Sequence, residues 1–131
     1  MARSLFSMVS LIFVFQCAEA QSIYAAKSSK VSFFAGTAVE DIDAVNDQSI
    51  SFINLTTGEV IVSIPNEKFH FRRPLMEEHF NENYMESGKF PKSEFKGKIG
   101  NIEKIKWESG QAYDVEVTGI LNIHGVSRSR T

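Results

Sequence analysis

The feature that most constrains this chain is a recurring alternation of period two, interrupted by one stretch of helical spacing. The cleanest run has Tyr113, Val115, Val117, Gly119, Leu121 and Ile123 facing one way and Asp114, Glu116, Thr118 and Asn122 the other. A second run sets Ser93, Phe95, Gly97 and Ile99 against Lys92, Glu94, Lys96 and Lys98. Runs of this kind make strands with one apolar face, which must curl or stack to bury it. Val31 to Ala35 is a first strand, with Val31, Phe33 and Ala35 on one side. Ser49 to Asn54, a turn at Thr56-Thr57-Gly58, and Glu59 to Ile64 make a hairpin. In its first arm Ile50 and Phe52 oppose Ser49, Ser51 and Ile53, and in its second Val60, Val62 and Ile64 share a face. Glu40 to Asp43 is acidic and is expected to be a short helical or irregular connection. Past an interruption at Pro65-Asn66, Phe69 and Phe71 alternate with Lys68, His70 and Arg72. Between turns at Gly100-Asn101 and Ser109-Gly110, a run with Ile102, Ile105 and Trp107 is expected to add a strand.

The exception to the alternation lies before Lys92. Pro74 suits a first helical position, and Met76, Phe80 and Tyr84 are spaced four apart, on one helical face. Gly88 and Pro91 stop any helix. This segment is expected to form a helical flap on the rim of a β-structure.

The first twenty residues read differently from the rest. Arg3, an apolar run from Leu5 to Phe15 and a small-x-small signal at Ala18-Glu19-Ala20 describe a secretory signal peptide cleaved after Ala20. A lipoprotein reading of Cys17 is the rival, but Gln16 and Val14 stand where a small residue and Leu are wanted. Cys17 is the only cysteine, so a secreted chain starting at Gln21 relies on packing alone. No later segment approaches the roughly 20 apolar residues of a membrane helix. Residues 21–131 suit one domain, and the expected location is the periplasm or the exterior. The net charge of −2 argues against nucleic acid as a partner. The lysine-rich stretch from Lys89 to Lys106 reads as solvated strand faces.

Short strands, hairpin turns and one-sided burial call for an all-β fold: an antiparallel sheet that curls on itself, with an open sandwich as the alternative. Gly97 and Gly119 inside strands fit bends or close backbone approach. Phe33-Phe34, Glu78-His79-Phe80, the segment ending Lys89-Phe90-Pro91, Phe95-Lys96-Gly97, and Gly119-Ile-Leu-Asn-Ile-His-Gly-Val126 together resemble the YceI-like family of secreted lipid-binding proteins. The likeness spans about Lys30 to Val126. It implies a lipocalin-like antiparallel β-barrel whose apolar interior accepts a long isoprenoid tail. In that family the His-Gly-Val motif is followed by further strands, whereas this chain stops five residues later. A truncated or open barrel is therefore expected, with about six strands where a closed small barrel needs roughly eight. Exposed strand edges would make an edge-to-edge homodimer an available state.

On this reading the ligand is an isoprenoid-type lipid or a quinone, held by apolar burial, with no cofactor and no catalytic group. Alternation places Phe33, Val60, Val62, Phe95, Val117 and Leu121 inward, along with Val31, Ile99 and Val115, while Phe80 and Tyr84 cap from the flap. Gly97 and Gly119 would leave room for the ligand. For each of these residues the competing role is an ordinary core. His79 is expected to tie the flap to the rim, and His124 to satisfy backbone groups at a strand end. Arg72 and Arg73 are candidates for a pyrophosphate or quinone head group, or are simply solvated. Glu78, Glu82 and Glu86 are expected to face solvent. Asn54-Leu55-Thr56 matches a glycosylation sequon that has no meaning in a bacterial source. The three histidines lack metal-ligand spacing, so no metal site is expected. Nucleophile elbows, phosphate loops and dinucleotide fingerprints are absent from the sequence. Two further functions compete with a lipid carrier: a secreted stress-response or interaction protein with a filled core, and an enzyme working on a lipid head group through His79 or His124.

Overall fold

The computed structural model describes residues 22–36 and 41–131. The leader, its cleavage after Ala20, Cys17 and the first residue of the acidic segment, Glu40, lie outside the described residues. The strands are β1 (Ile23–Ala35), β2 (Ile42–Asn54), β3 (Glu59–Pro65), β4 (His70–Phe71), β5 (Lys92–Ile99), β6 (Val117–Ile123) and β7 (Val126–Arg130). They form one seven-stranded antiparallel sheet in the order β1-β2-β3-β5-β6-β7, with β4 paired to β2. The sheet is not closed: among the described residues β1 and β7 are its edges.

The β2–β3 hairpin and β5 match the alternation, β5 with the same bounds. The hairpin turn is held by Asn54, whose Oδ1 accepts from the N–H groups of Thr56 (2.9 Å) and Thr57 (3.1 Å).

Four expectations are corrected. The strand expected at Val31–Ala35 begins at Ile23, because the weakly patterned, polar residues before Val31 are recruited by pairing with the end of β2. Of the acidic connection, Ile42 and Asp43 instead begin β2, in which Ile42 and Ala44 share the inner face while Asp43 alternates to the other. The expected strand through Ile102, Ile105 and Trp107 is two 3-10 turns, Ile102–Lys104 and Trp107–Ser109. The spacing of three between Ile102 and Ile105 fits a 3-10 turn and not a strand, and Ile105 N–H donates to the Ile102 carbonyl at 3.1 Å. β6 starts at Val117 and not at Tyr113. Its partner β5 ends at Ile99, opposite Val117, so Tyr113 and Val115 alternate with no strand to pair and stay exposed. The chain also makes one strand more than its pattern suggested. His124 (φ 50°) and Gly125 (φ 73°) form a tight turn with two left-handed residues, which returns Val126–Arg130 along β6.

β1 and β2 pair through two compensating bulges, one at Lys27-Ser28 and one at Asp47-Gln48. Asn46 pins the second. Its Nδ2 donates to the Pro65 carbonyl at 2.7 Å, and its Oδ1 accepts from Gln48 N–H (3.0 Å) and Ser49 Oγ (3.1 Å). The bulge shifts the inward set of β2 from Ala44 and Asn46 to Ser49 and Ser51, leaving Ile50 and Phe52 on the outer face.

The core sits at one end of the sheet. Ala44, Ile64 and Phe69 are buried, and Val31, Phe33, Val62, Phe71 and Phe80 pack around them. Phe33 meets Phe69 and Phe71 edge-on, with ring centroids 5.3 and 5.9 Å apart, and stacks on Phe80 at 5.8 Å.

Candidate lipid site

Sheet register brings most of the expected site residues onto one face. One cross-strand row runs Ser51, Val62, Phe95, Leu121; the next runs Ile53, Val60, Gly97, Gly119; Ile99 and Val117 pair beyond them. Val60, Val62, Phe95, Gly97, Val117, Gly119 and Leu121 therefore line a single surface and are half-buried, while Ile99, whose N–H donates to the Gly58 carbonyl, is buried at its end. Phe33, Phe80 and Tyr84 gather separately, around a cavity of about 480 Å³ beneath the flap.

The flap is a short helix, α1 (Pro74–His79), followed by a π-helical segment, Phe80–Tyr84. Pro74 starts α1 because a missing N–H costs nothing at that position. The π turn, closed by Met85 N–H donating to the Phe80 carbonyl at 2.7 Å, admits an extra residue. Met76, Phe80 and Tyr84 still line one cavity, but at different depths. Phe80 enters the aromatic cluster, whereas Tyr84 is 76% exposed at the cavity mouth. The cavity's other walls include Ile42, Phe71 and Leu75. Leu75, 61% exposed, carried no sequence signal, since it lies off the helical face traced by Met76 and Phe80.

The glycines act differently from one another. A Cβ on Gly119 would lie 2.3 Å from the Lys96 carbonyl oxygen and 2.4 Å from the Gly97 Cα, so Gly119 serves the close backbone approach. A Cβ on Gly97 would lie 2.7 Å from the Phe95 ring, which folds over that position. The room expected at Gly97 is filled by Phe95.

Polar residues mostly hold the flap in place. Phe71 N–H donates to Glu77 Oε2 at 3.2 Å, and His70 Nδ1 lies 3.7 Å from the same oxygen. Glu77 thus makes the tie to the rim that was expected of His79, which instead lines the cavity. His124 does not cap a strand end: its Nε2 lies 2.7 Å from Glu86 Oε2, and its ring packs 4.3 Å from that of Phe90. Glu86 (φ 46°) has left the helix and makes this pair, while Glu78 and Glu82 are exposed as expected. Below the flap, Asn66 Nδ2 donates to the Phe90 carbonyl (2.6 Å) and Ser93 Oγ donates to Asn66 Oδ1 (2.8 Å), which fixes the entry into β5. On the outer face of β5, Lys96 Nζ lies 3.0 Å from Glu94 Oε2 and holds the Glu94 carboxyl below its usual pKa.

A larger cavity, about 1000 Å³, lies under the 101–116 segment, where Lys98, Glu103, Lys104, Asp114 and Glu116 give it a charged wall. Ile99, Ile102, Ile105 and Val115 also line it, so its wall is mixed, whereas that of the flap cavity is mostly apolar and better suited to an apolar chain. Among the described residues no helix is long and apolar enough to cross a membrane, and no three His, Cys, Asp or Glu are placed to hold a metal ion.

Comparison with known proteins agrees with this architecture. The chain is similar in structure to a polyisoprenoid binding domain from Saccharophagus degradans implicated in plant cell wall breakdown. The TM-score is 0.64 at 13% identity, over 85% of this chain and 64% of that one. It is also similar to a Campylobacter jejuni YceI protein, with a TM-score of 0.45 at 13% identity, over 99% of this chain and 66% of that one. The chain thus spans slightly less than two thirds of the length of either protein. At such identity the first likeness shows the fold. A search of curated proteins returns no significant match. A family model described as the YceI-like domain matches residues 21–131, and the open antiparallel sheet carries the same fold, so this chain belongs to the YceI-like domain family.

Proposed function

We propose that this protein binds an amphiphilic lipid with a long isoprenoid-type tail, a quinone included, and carries it in the periplasm or outside the cell. The observation that carries the reading is the flap cavity: about 480 Å³, walled by Phe33, Ile42, Phe71, Met76 and Phe80, with its polar groups confined to Arg73, His79 and Tyr84. A linear apolar tail gains roughly 25 cal/mol per Å² on leaving water for such walls, and needs no reacting group. The half-buried row of Val62, Phe95 and Leu121 offers a continuation for a longer tail. The similar Saccharophagus degradans domain is named for polyisoprenoid binding, which supports binding over catalysis. A homodimer through strand edges is the weaker partner reading. β1 presents Lys27, Lys30 and a bulge, and β7 presents Arg128 and Arg130, so either edge meets a second copy with like charge.

Native mass spectrometry of the protein recovered from its own envelope without detergent tests the reading, with osmotic-shock fractions reporting the location. A bound, extractable mass in prenyl-lipid steps is expected. Leu75→Asp, at an exposed cavity wall, should lose that mass while remaining folded. An empty, folded monomer from the native envelope would favour an interaction protein with no ligand.

A further inference from the structure

We propose that the head group accepted at the flap cavity is uncharged, a hydroxyl or carbonyl on the isoprenoid tail, and that Asp41 and Asp43 discriminate against a phosphate or pyrophosphate. This rests on the lipid reading above and narrows its ligand. Arg73 and Met76 line the apolar cavity and also a second, smaller one of about 280 Å³ beside it. Asp41, Asp43 and Arg72 complete the walls of the smaller cavity. Arg73 and Met76 are the shared boundary, so a head group that leaves the apolar cavity past these two side chains enters the smaller one and meets two guanidinium groups and two carboxylates. The charges balance, and Arg72 Nη2 lies 3.6 Å from Asp43 Oδ2.

An anionic head group would have to draw Arg72 from Asp43 while approaching both carboxylates, so the attraction of the arginines is offset by repulsion at similar range. A hydroxyl meets no such conflict. It donates to a carboxylate and accepts from a guanidinium, and a carbonyl accepts from a guanidinium without displacing its partner. The double arginine, Arg72-Arg73, looks in isolation like an anion clamp. The fold neutralises it because β2 begins earlier than its acidic sequence suggests, and this brings Asp43 against Arg72.

The test is equilibrium binding of radiolabelled geranylgeraniol and geranylgeranyl phosphate, which share one tail, to the full secreted chain and to the Asp41→Asn/Asp43→Asn variant. Both aspartates sit at the surface, so the variant is expected to fold, with circular dichroism as the check. The wild type should bind the alcohol more tightly than the phosphate. In the variant, phosphate binding should tighten by about two- to fivefold per carboxylate removed, the range for exposed charge pairs, and the gain should shrink in high salt. Alcohol binding should change by less than about twofold, as expected for a neutral head group that keeps its donors. Tighter binding of the phosphate by the wild type, or a phosphate affinity indifferent to the two substitutions, would overturn the head-group proposal and leave the lipid reading standing. Binding of neither ligand by folded wild-type protein would overturn both.

Discussion

The two ends of the inner face carry the same kinds of side chain and differ in what lies over them. At the flap end, Phe33, Phe69, Phe71 and Phe80 form a cluster around Ala44 and Ile64, and Phe69 is only 5% exposed. At the other end, Val60, Phe95, Val117 and Leu121 stand on strands of equal regularity but are half-buried, because the sheet does not close over them. Burial in a β-structure therefore depends on cover as much as on pattern. A strand orients its apolar residues together; a second layer or a closing strand removes them from water. The flap supplies that layer at one end only, where it also leaves the apolar cavity.

The sharpest way to break this comparison is truncation on each side. Phe69→Ala should cost about 3–5 kcal/mol, since it empties an enclosed site, whereas Leu121→Ala should cost about 1 kcal/mol or less, since its place opens to solvent. Urea denaturation of both variants checks this; equal costs would mean that the open face is covered in solution. A smaller effect distinguishes the two glycines of that face. Gly119→Ala drives a methyl group into the Lys96 backbone and should cost about 1–3 kcal/mol, while Gly97→Ala meets chiefly the Phe95 ring, which can swing aside, with the Thr118 carbonyl oxygen at 3.0 Å, and should cost less, about 1 kcal/mol. Thermal melts of the pair would rank them, and the opposite order would show that β5 and β6 do not approach so closely.

The smallest effect belongs to the outer face. The Glu94 carboxyl is held below its ordinary pKa by Lys96, so the contribution of the pair is present above the unfolded carboxylate pKa and is lost as pH falls through the lower, folded value. With Lys96 largely solvated, the gain is on the order of a few tenths of a kcal/mol. Lys96→Gln should reduce stability slightly near neutral pH and leave it unchanged in acid. An equal loss at both pH values would point to packing by the lysine stem.

Much of the sheet was legible in the chain, and the misses have identifiable causes. β5 could be read because its alternation, its flanking Pro91 and its terminal Gly100 all agree. The length of β1 could not, because Lys27, Ser28, Ser29 and Lys30 have little strand preference of their own and extend only against β2. β6 was overread for the converse reason: Tyr113 and Val115 keep the pattern after the partner strand has ended. In the site, shared orientation was legible and occupancy was not. Tyr84 does line the flap cavity, though the π turn leaves it exposed at the mouth; the room at Gly97 is filled by Phe95, and Leu75 was missed because it carries no periodic signal.

By itself the sequence determined that this chain makes an antiparallel β-structure, which strand residues share a face, where the hairpin turns, and that a helical segment breaks the sheet. These are local matters of side-chain alternation, turn chemistry and proline. The tertiary structure decided which part of that face is enclosed, that Arg72 is met by Asp43, that His124 reaches Glu86, and that the flap leaves a cavity beside the aromatic cluster. Each of these joins residues distant in the chain, and its geometry comes from strand register and cover, which no local pattern encodes.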